Sequence, residues 1–136
     1  MPSKGVSFPT LLQGVIRFRT INTFCRAAHI LLTSLTVKEE DKLVIAHHVV
    51  RVIQSRILPE TDSLDQTLGL EAQTHVAKVT LEIICLENAK EQVGWAITTI
   101  CCWLKDRDGG WKRNFEKRIQ KLVSVTVTPL LVEHIS

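Results

Sequence analysis

The sequence of 136 residues contains few of the residue types that interrupt or cross-link regular structure. It has only four prolines and six glycines, which favours long regular elements. Its four cysteines include no Cys-x-x-Cys pair, and the side chains of the adjacent Cys101 and Cys102 diverge on a helix. We therefore expect neither a disulfide framework nor a cysteine metal site, and interpret the cysteines as small buried residues in a reducing compartment.

The sequence also lacks the patterns of the common enzyme and membrane-protein classes. It contains no HExxH, no nucleophile elbow and no phosphate-binding glycine loop, so we expect no enzyme, no metal and no cofactor. The adjacent His47 and His48 diverge on a helix, and a metal or hydrolase site that combines them with His75 and a cysteine is an alternative for which a satisfied or exposed histidine is the simpler explanation. No apolar run approaches the roughly 18 residues of a membrane span, so we expect no transmembrane anchor and no signal peptide.

Excess charge of one sign is also small. The formal net charge is +3, from 17 Lys and Arg against 14 Asp and Glu, which is weak for a dedicated nucleic-acid binder. One alternative function is nevertheless a small basic helical module that binds nucleic-acid phosphates. A solvated helix face explains the same residues, and we expect no nucleic-acid partner. The basic residues in question are Lys112, Arg113, Lys117, Arg118 and Lys121.

Apolar residues make up 45% of the chain and recur mostly at helical spacing, which predicts a single all-α domain over residues 1–136. Apolar and polar residues alternate in the tail 123–128, which is typical of a strand. Since no partner strand is predicted, we expect a helix or an extended arm there. The predicted helices are 8–20, 21–35, 38–57, 63–88, 90–105 and one that begins near Gly109 or Gly110. The first two are either separate or joined with a bend near Asn22. We expect Pro59 to end the third of these, and Asp62 or Ser63 to cap the fourth.

Three of the predicted helices are unusually apolar. Those at 63–88 and 90–105 are apolar nearly all round, as expected of a central hairpin with shorter helices around it. The helix at 38–57 carries two apolar stripes, which indicates either a helix enclosed in the core or one that offers its second face to a partner. Exposed apolar surface of this kind also makes a homodimer possible.

The most informative stretch is 94–115, which contains all three tryptophans and the Gly-Gly pair. Asp108 is placed to cap the helix that follows. Gly109 and Gly110 allow a sharp corner with positive φ, and Trp111 can pack back against the preceding helix. The stretch therefore predicts two helices joined by a glycine corner that a tryptophan fills.

The order of residues in this stretch resembles the second homology motif of the Bcl-2 family: Trp103, an apolar residue, a short polar run, Gly109-Gly110-Trp111 and a later apolar residue. The resemblance implies a Bcl-2-like helical bundle around a central hydrophobic helical hairpin. It also implies an apoptosis regulator whose hydrophobic groove holds the death-motif helix of a pro-apoptotic partner. The residues expected to line that peptide groove are Phe24, Ala28, Leu32, Val49, Val52, Ile53 and Arg56.

The chain departs from the family's first homology motif. The Asn-Trp-Gly-Arg signature is absent between Pro59 and Leu70, so the arginine that pairs with the aspartate of a bound helix is missing. Helical spacing places Arg56 on the side of the predicted groove residues, and we predict that it partly replaces that arginine. Arg51 is expected on a different face. A solvated cation at the end of the helix is the alternative interpretation of Arg56.

The Leu-x-x-x-Gly-Asp core of the third homology motif is also absent from residues 24–35. A death-promoting role that exposes such a motif is therefore disfavoured. The short chain looks similar to compact virus-encoded survival proteins, which implies an anti-apoptotic protein in the cytoplasm of the host cell, with peripheral attachment at mitochondria as an open alternative.

Overall fold

The computed structural model describes residues 8–121, with side chains from residue 17 onward. Every regular element in that part of the chain is helical, so the predicted all-α class is confirmed. The alternating tail, predicted as an arm or a helix, lies outside the described residues. The elements are α1 (Phe8–Thr33), α2 (Glu39–Val52), a π-helical turn (Ile53–Ile57), α3 (Leu58–Thr61), α4 (Gln66–Ile84), α5 (Ala89–Lys105) and α6 (112–121).

The first two predicted helices form one continuous helix, α1, of 26 residues. No glycine or proline lies between residues 15 and 35, so no helix-breaking residue separates the two predicted helices. The buried residues of α1 recur at helical spacing and pack mainly against α4. They are Ile21, Cys25, Ala28 and Leu32.

Pro59 was predicted to end the helix that precedes it, but the helical path continues past it. The backbone widens into the π-helical turn, where Leu58 N donates to Ile53 O, five residues earlier. Pro59 lacks an N–H and lies in the first turn of α3, where a missing donor is tolerated. The helical path therefore continues to Thr61, and the wider turn changes the directions of the side chains around it.

Helices α4 and α5 are joined by a short turn and pack against each other, while α1 covers α4 and α2 covers α5. Asp65, rather than the predicted Asp62 or Ser63, caps α4 by accepting a hydrogen bond of 2.9 Å from Leu68 N. At the start of α5, Asn88 adopts a left-handed φ of 65°. The Gly-Gly corner and α6 follow the C-terminal end of α5.

Candidate functional site

The corner between α5 and α6 is organised around Trp111. Its side chain is 8% exposed, and its ring meets that of Phe115 edge to face, with centroids 5.8 Å apart. The carboxylate of Asp108, predicted to cap α6, instead lies 3.4 Å from Lys112 Nζ. Lys112 Nζ also donates to Lys105 O at 2.9 Å, so the lysine side chain ties the start of α6 to the end of α5.

Gly109 is required by close packing and not by its backbone conformation. No glycine among the described residues has a positive φ, which corrects the predicted conformation of the corner. A Cβ built on Gly109 would lie 2.5 Å from Leu70 Cδ1 and 2.6 Å from Trp111 Nε1. A Cβ built on Gly110 would meet nothing within 4 Å. The two adjacent glycines therefore have different roles.

Gly109→Ala is expected to lower the free energy of unfolding by about 1–3 kcal/mol, because the added methyl group forces Trp111 and Leu70 to move. Gly110→Ala is the matched control, expected to change it by no more than about 0.5 kcal/mol. Urea titration of the two variants measures the difference. Equal losses would contradict the proposed role of Gly109 in close packing.

A guanidinium connects the same corner to the turn before α4. Arg107 Cζ lies 3.8 Å from the ring centroid of the half-buried Trp103. Arg107 also donates from one nitrogen to Trp103 O at 2.7 Å and from another to Asp62 Oδ1 at 2.6 Å. Arg107 therefore connects the end of α5 to the turn before α4.

A groove between α1 and the helical path from α2 to α3 brings together three of the predicted groove residues. We call it the α1–α2 groove, and its volume is about 550 Å³. The ring of Phe24, on α1, lies 6.3 Å from that of His48, on α2, in an edge-on arrangement. The groove is lined by Thr20, Ile21, Phe24, His48, Arg51, Val52, Ser55, Arg56, Ile57 and Glu60.

Of the seven residues predicted to line a peptide groove, Phe24, Val52 and Arg56 line this groove and the other four do not. Each of those four has an exposed fraction of at most 4%, and all four belong to the hydrophobic core. Amphipathic spacing identifies the stripe they belong to but does not reveal whether the stripe faces the core or a partner. The four buried residues are Ala28, Leu32, Val49 and Ile53.

Arg51 also lines the groove, which corrects its predicted position on a different face from Arg56. Five residues separate the two, and in a regular α-helix they would diverge. The π-helical turn has i→i+5 hydrogen bonds, so residues five apart come nearer to the same side. Ser55 Oγ donates to Arg51 O at 2.6 Å within this widened stretch. Pro59, close behind a continuous helical pattern, was the available sequence signal for the distortion.

The groove has an apolar floor and a rim that is mainly basic. Ile21 and Ile57 are buried at its base, with Phe24 and Val52 half-buried beside them. Arg51 and Arg56 are both exposed, and neither forms an ion pair with a carboxylate of the described residues. Glu60 is the acidic residue of the lining. Such a groove favours a ligand that combines apolar side chains with negative charge.

The histidines and cysteines of the described residues form no cluster of three or more possible metal ligands with each other or with acidic residues. His48 lies in the α1–α2 groove, whereas His75 lines a separate pocket between α1 and α4. Within residues 8–121, no helix is long and apolar enough to cross a membrane.

The basic face predicted on α6 is present in part. Lys117, Arg118 and Arg113 are exposed, whereas Lys112 is partly buried by its contacts at the corner. Arg118 lies close to the exposed Cys85, with an N–S distance of 3.9 Å. This face is separate from the groove, and its residues provide charge-matched controls for it.

No family model, curated protein or solved structure matches this chain. Function is therefore inferred from the groove, the corner and the sequence motif, and the resemblance to the Bcl-2 family stays a prediction.

Proposed function

We propose that this chain is an anti-apoptotic regulator that sequesters the death-motif helix of a pro-apoptotic partner in the α1–α2 groove. Sequestration involves no catalysis and needs no cofactor. The partner is an amphipathic helix whose apolar residues, three and four positions apart, fill the groove floor. An acidic residue of the partner helix lies at the basic rim of the groove in the bound state.

The observation that carries this proposal is an apolar floor beside two guanidinium groups that form no ion pair with a carboxylate of the described residues. Phe24 and Val52 offer partly exposed apolar surface, and Arg51 and Arg56 lie beside it. An arginine can bind a carboxylate through two parallel hydrogen bonds, which fixes the orientation of an incoming helix. These two arginines would supply the charge that the missing Asn-Trp-Gly-Arg signature supplies in the family.

The size of the groove fits a helix that is only partly enclosed. Its volume of about 550 Å³ lies within the range of about 300–1,000 Å³ that is usual for ligand pockets. A pocket of this size holds some of the anchoring side chains of a helix while the opposite face of the helix stays in water. The second line of support is that residues 103–115 resemble the second homology motif of the family.

The proposal is tested by calorimetric titration of the purified protein with a panel of pro-apoptotic death-motif peptides. At least one peptide is expected to bind, and a scrambled peptide of the same composition is expected not to. Since apolar burial should supply most of the affinity, added salt should weaken binding only modestly. Equal affinity for the scrambled peptide, or no binding by any peptide of the panel, would refute the proposed function.

A further inference from the structure

A second pocket lies between α1 and α4 and shares no residue with the α1–α2 groove. We call it the basic pocket, and its volume is about 320 Å³. Arg26 and His29 come from α1, and His75 and Lys78 come from α4. No acidic residue is among the residues that line it. Four basic side chains therefore surround one small cavity.

The positive charge of the basic pocket is only partly compensated by its surroundings. Neither Arg26 nor Lys78 forms an ion pair with a carboxylate of the described residues. Glu82 lies outside the lining, and its Oε1 is 3.8 Å from His29 Nε2. An anion in the cavity would therefore meet two cations that form no ion pair within the described residues.

The pKa of His75 is affected by the positive charge around the pocket. Burial lowers the pKa of His75, and the charges of Lys78 and Arg26 lower that pKa further, while Glu71 acts in the opposite direction. The ring of Phe18 also faces His75, with centroids 6.3 Å apart. A bound anion would oppose the effect of the two cations and raise the pKa of His75.

The cysteine of the pocket does not suggest covalent chemistry. Burial raises the pKa of Cys25 to about 12, so its thiol stays protonated and uncharged near neutral pH. A protonated thiol is a poor nucleophile and a poor metal ligand. The pocket is therefore suited to reversible binding of an anion.

Exposed apolar residues adjoin the basic pocket at the C-terminal end of α1. Ile30 lines the pocket and is 64% exposed, Leu31 follows it, and Leu35, just beyond the helix, is fully exposed. We call Ile30, Leu31 and Leu35 the apolar tip. Basic side chains beside exposed apolar side chains are typical of surfaces that bind at the interface of an anionic bilayer.

We infer that the basic pocket binds the phosphate of an anionic phospholipid headgroup, with the apolar tip inserted among the adjacent lipids. Arg26 and Lys78 supply charge to the phosphate, and Ile30 extends from the pocket wall toward the acyl region. A soluble phosphate compound would use the same basic residues but would have no need of the apolar tip. This inference is independent of helix binding in the α1–α2 groove.

Co-sedimentation with vesicles tests the inference on the full chain. The parent protein is expected to bind vesicles of equimolar phosphatidylserine and phosphatidylcholine and not vesicles of phosphatidylcholine alone. The variant R26E/K78E is expected to lose about 25-fold or more in affinity, since each basic residue near an anionic surface contributes roughly fivefold. Ile30→Ser, which leaves the charge unchanged, is also expected to weaken binding.

The control R113E/K117E carries the same change of net charge on the exposed face of α6. It should retain more vesicle binding than R26E/K78E, provided that circular dichroism shows all variants folded. Equal losses in the two double variants would mean general attraction of a basic protein to an anionic surface and would overturn the pocket. Full vesicle binding by R26E/K78E would overturn it as well.

Two further measurements separate the lipid from other occupants. Nuclear magnetic resonance of His75 during titration with inorganic phosphate, in the parent and in R26E/K78E, follows occupation of the basic pocket. Phosphate binding without vesicle binding would overturn a lipid ligand. Sedimentation velocity without vesicles shows whether the apolar tip instead binds a second copy of the chain. If the parent is a dimer and Ile30→Ser dissociates it, the proposed lipid contact of the apolar tip would be overturned.

Discussion

Trp111→Ala is expected to lower the free energy of unfolding by about 3–5 kcal/mol, the largest loss of stability of any substitution considered for this chain. The indole is buried, contacts Phe115 edge to face and packs closely against Gly109. Its removal would leave a cavity between α5 and α6, which adjoins the buried Leu104. Urea titration followed by circular dichroism measures the loss.

Two control variants distinguish packing from other effects of the substitution. Trp111→Phe keeps an aromatic ring and removes a buried indole N–H that has no acceptor among the described residues, so it should cost clearly less. Trp95→Ala removes a mostly exposed tryptophan and should change stability by no more than about 0.5 kcal/mol. A loss below about 1 kcal/mol for Trp111→Ala would contradict the structure of the corner.

The helical class and the central helices were predictable because local pattern determines them. The buried residues of α5 recur at steps of three and four, and its observed range, Ala89–Lys105, nearly coincides with the predicted 90–105. The helices predicted at 8–20 and 21–35 are joined into α1, the alternative left open by the sequence, because no residue between them breaks a helix. The predicted end at Pro59 was wrong because the backbone widens into the π-helical turn before Pro59, and the helical path continues through the proline.

The candidate site was less predictable than the fold. An apolar stripe looks the same whether it covers the core or faces a partner, so Ala28 and Val49 were predicted in the groove although both are buried in the core. Arg51 was missed because the π-helical turn changes the angular relation of residues five apart. The close packing at Gly109 involves Leu70 as well as Trp111, and the approach of Leu70, a residue distant in sequence, could not be predicted from local pattern.

Arg56→Glu is expected to weaken binding of an acidic death-motif peptide by about 2 kcal/mol or more, because a carboxylate would then face the acidic residue of the peptide. Arg51→Glu is expected to have an effect of the same sign, since Arg51 lines the same groove. Arg113→Glu makes the same charge change on an exposed residue of α6 and should alter the affinity little. Calorimetric titration of each folded variant measures these changes.

A double-mutant cycle isolates the pairing of each arginine with the peptide. Replacing the acidic residue of the peptide by its amide should weaken binding to the parent but should change binding to Arg56→Ala much less, because the partner is already gone. The same cycle with Arg51→Ala shows which guanidinium is nearer to the bound carboxylate. If Arg56→Glu and Arg51→Glu bind as tightly as the parent, neither arginine belongs to the site. If Arg113→Glu loses as much as they do, the arginines act through general charge rather than through the groove.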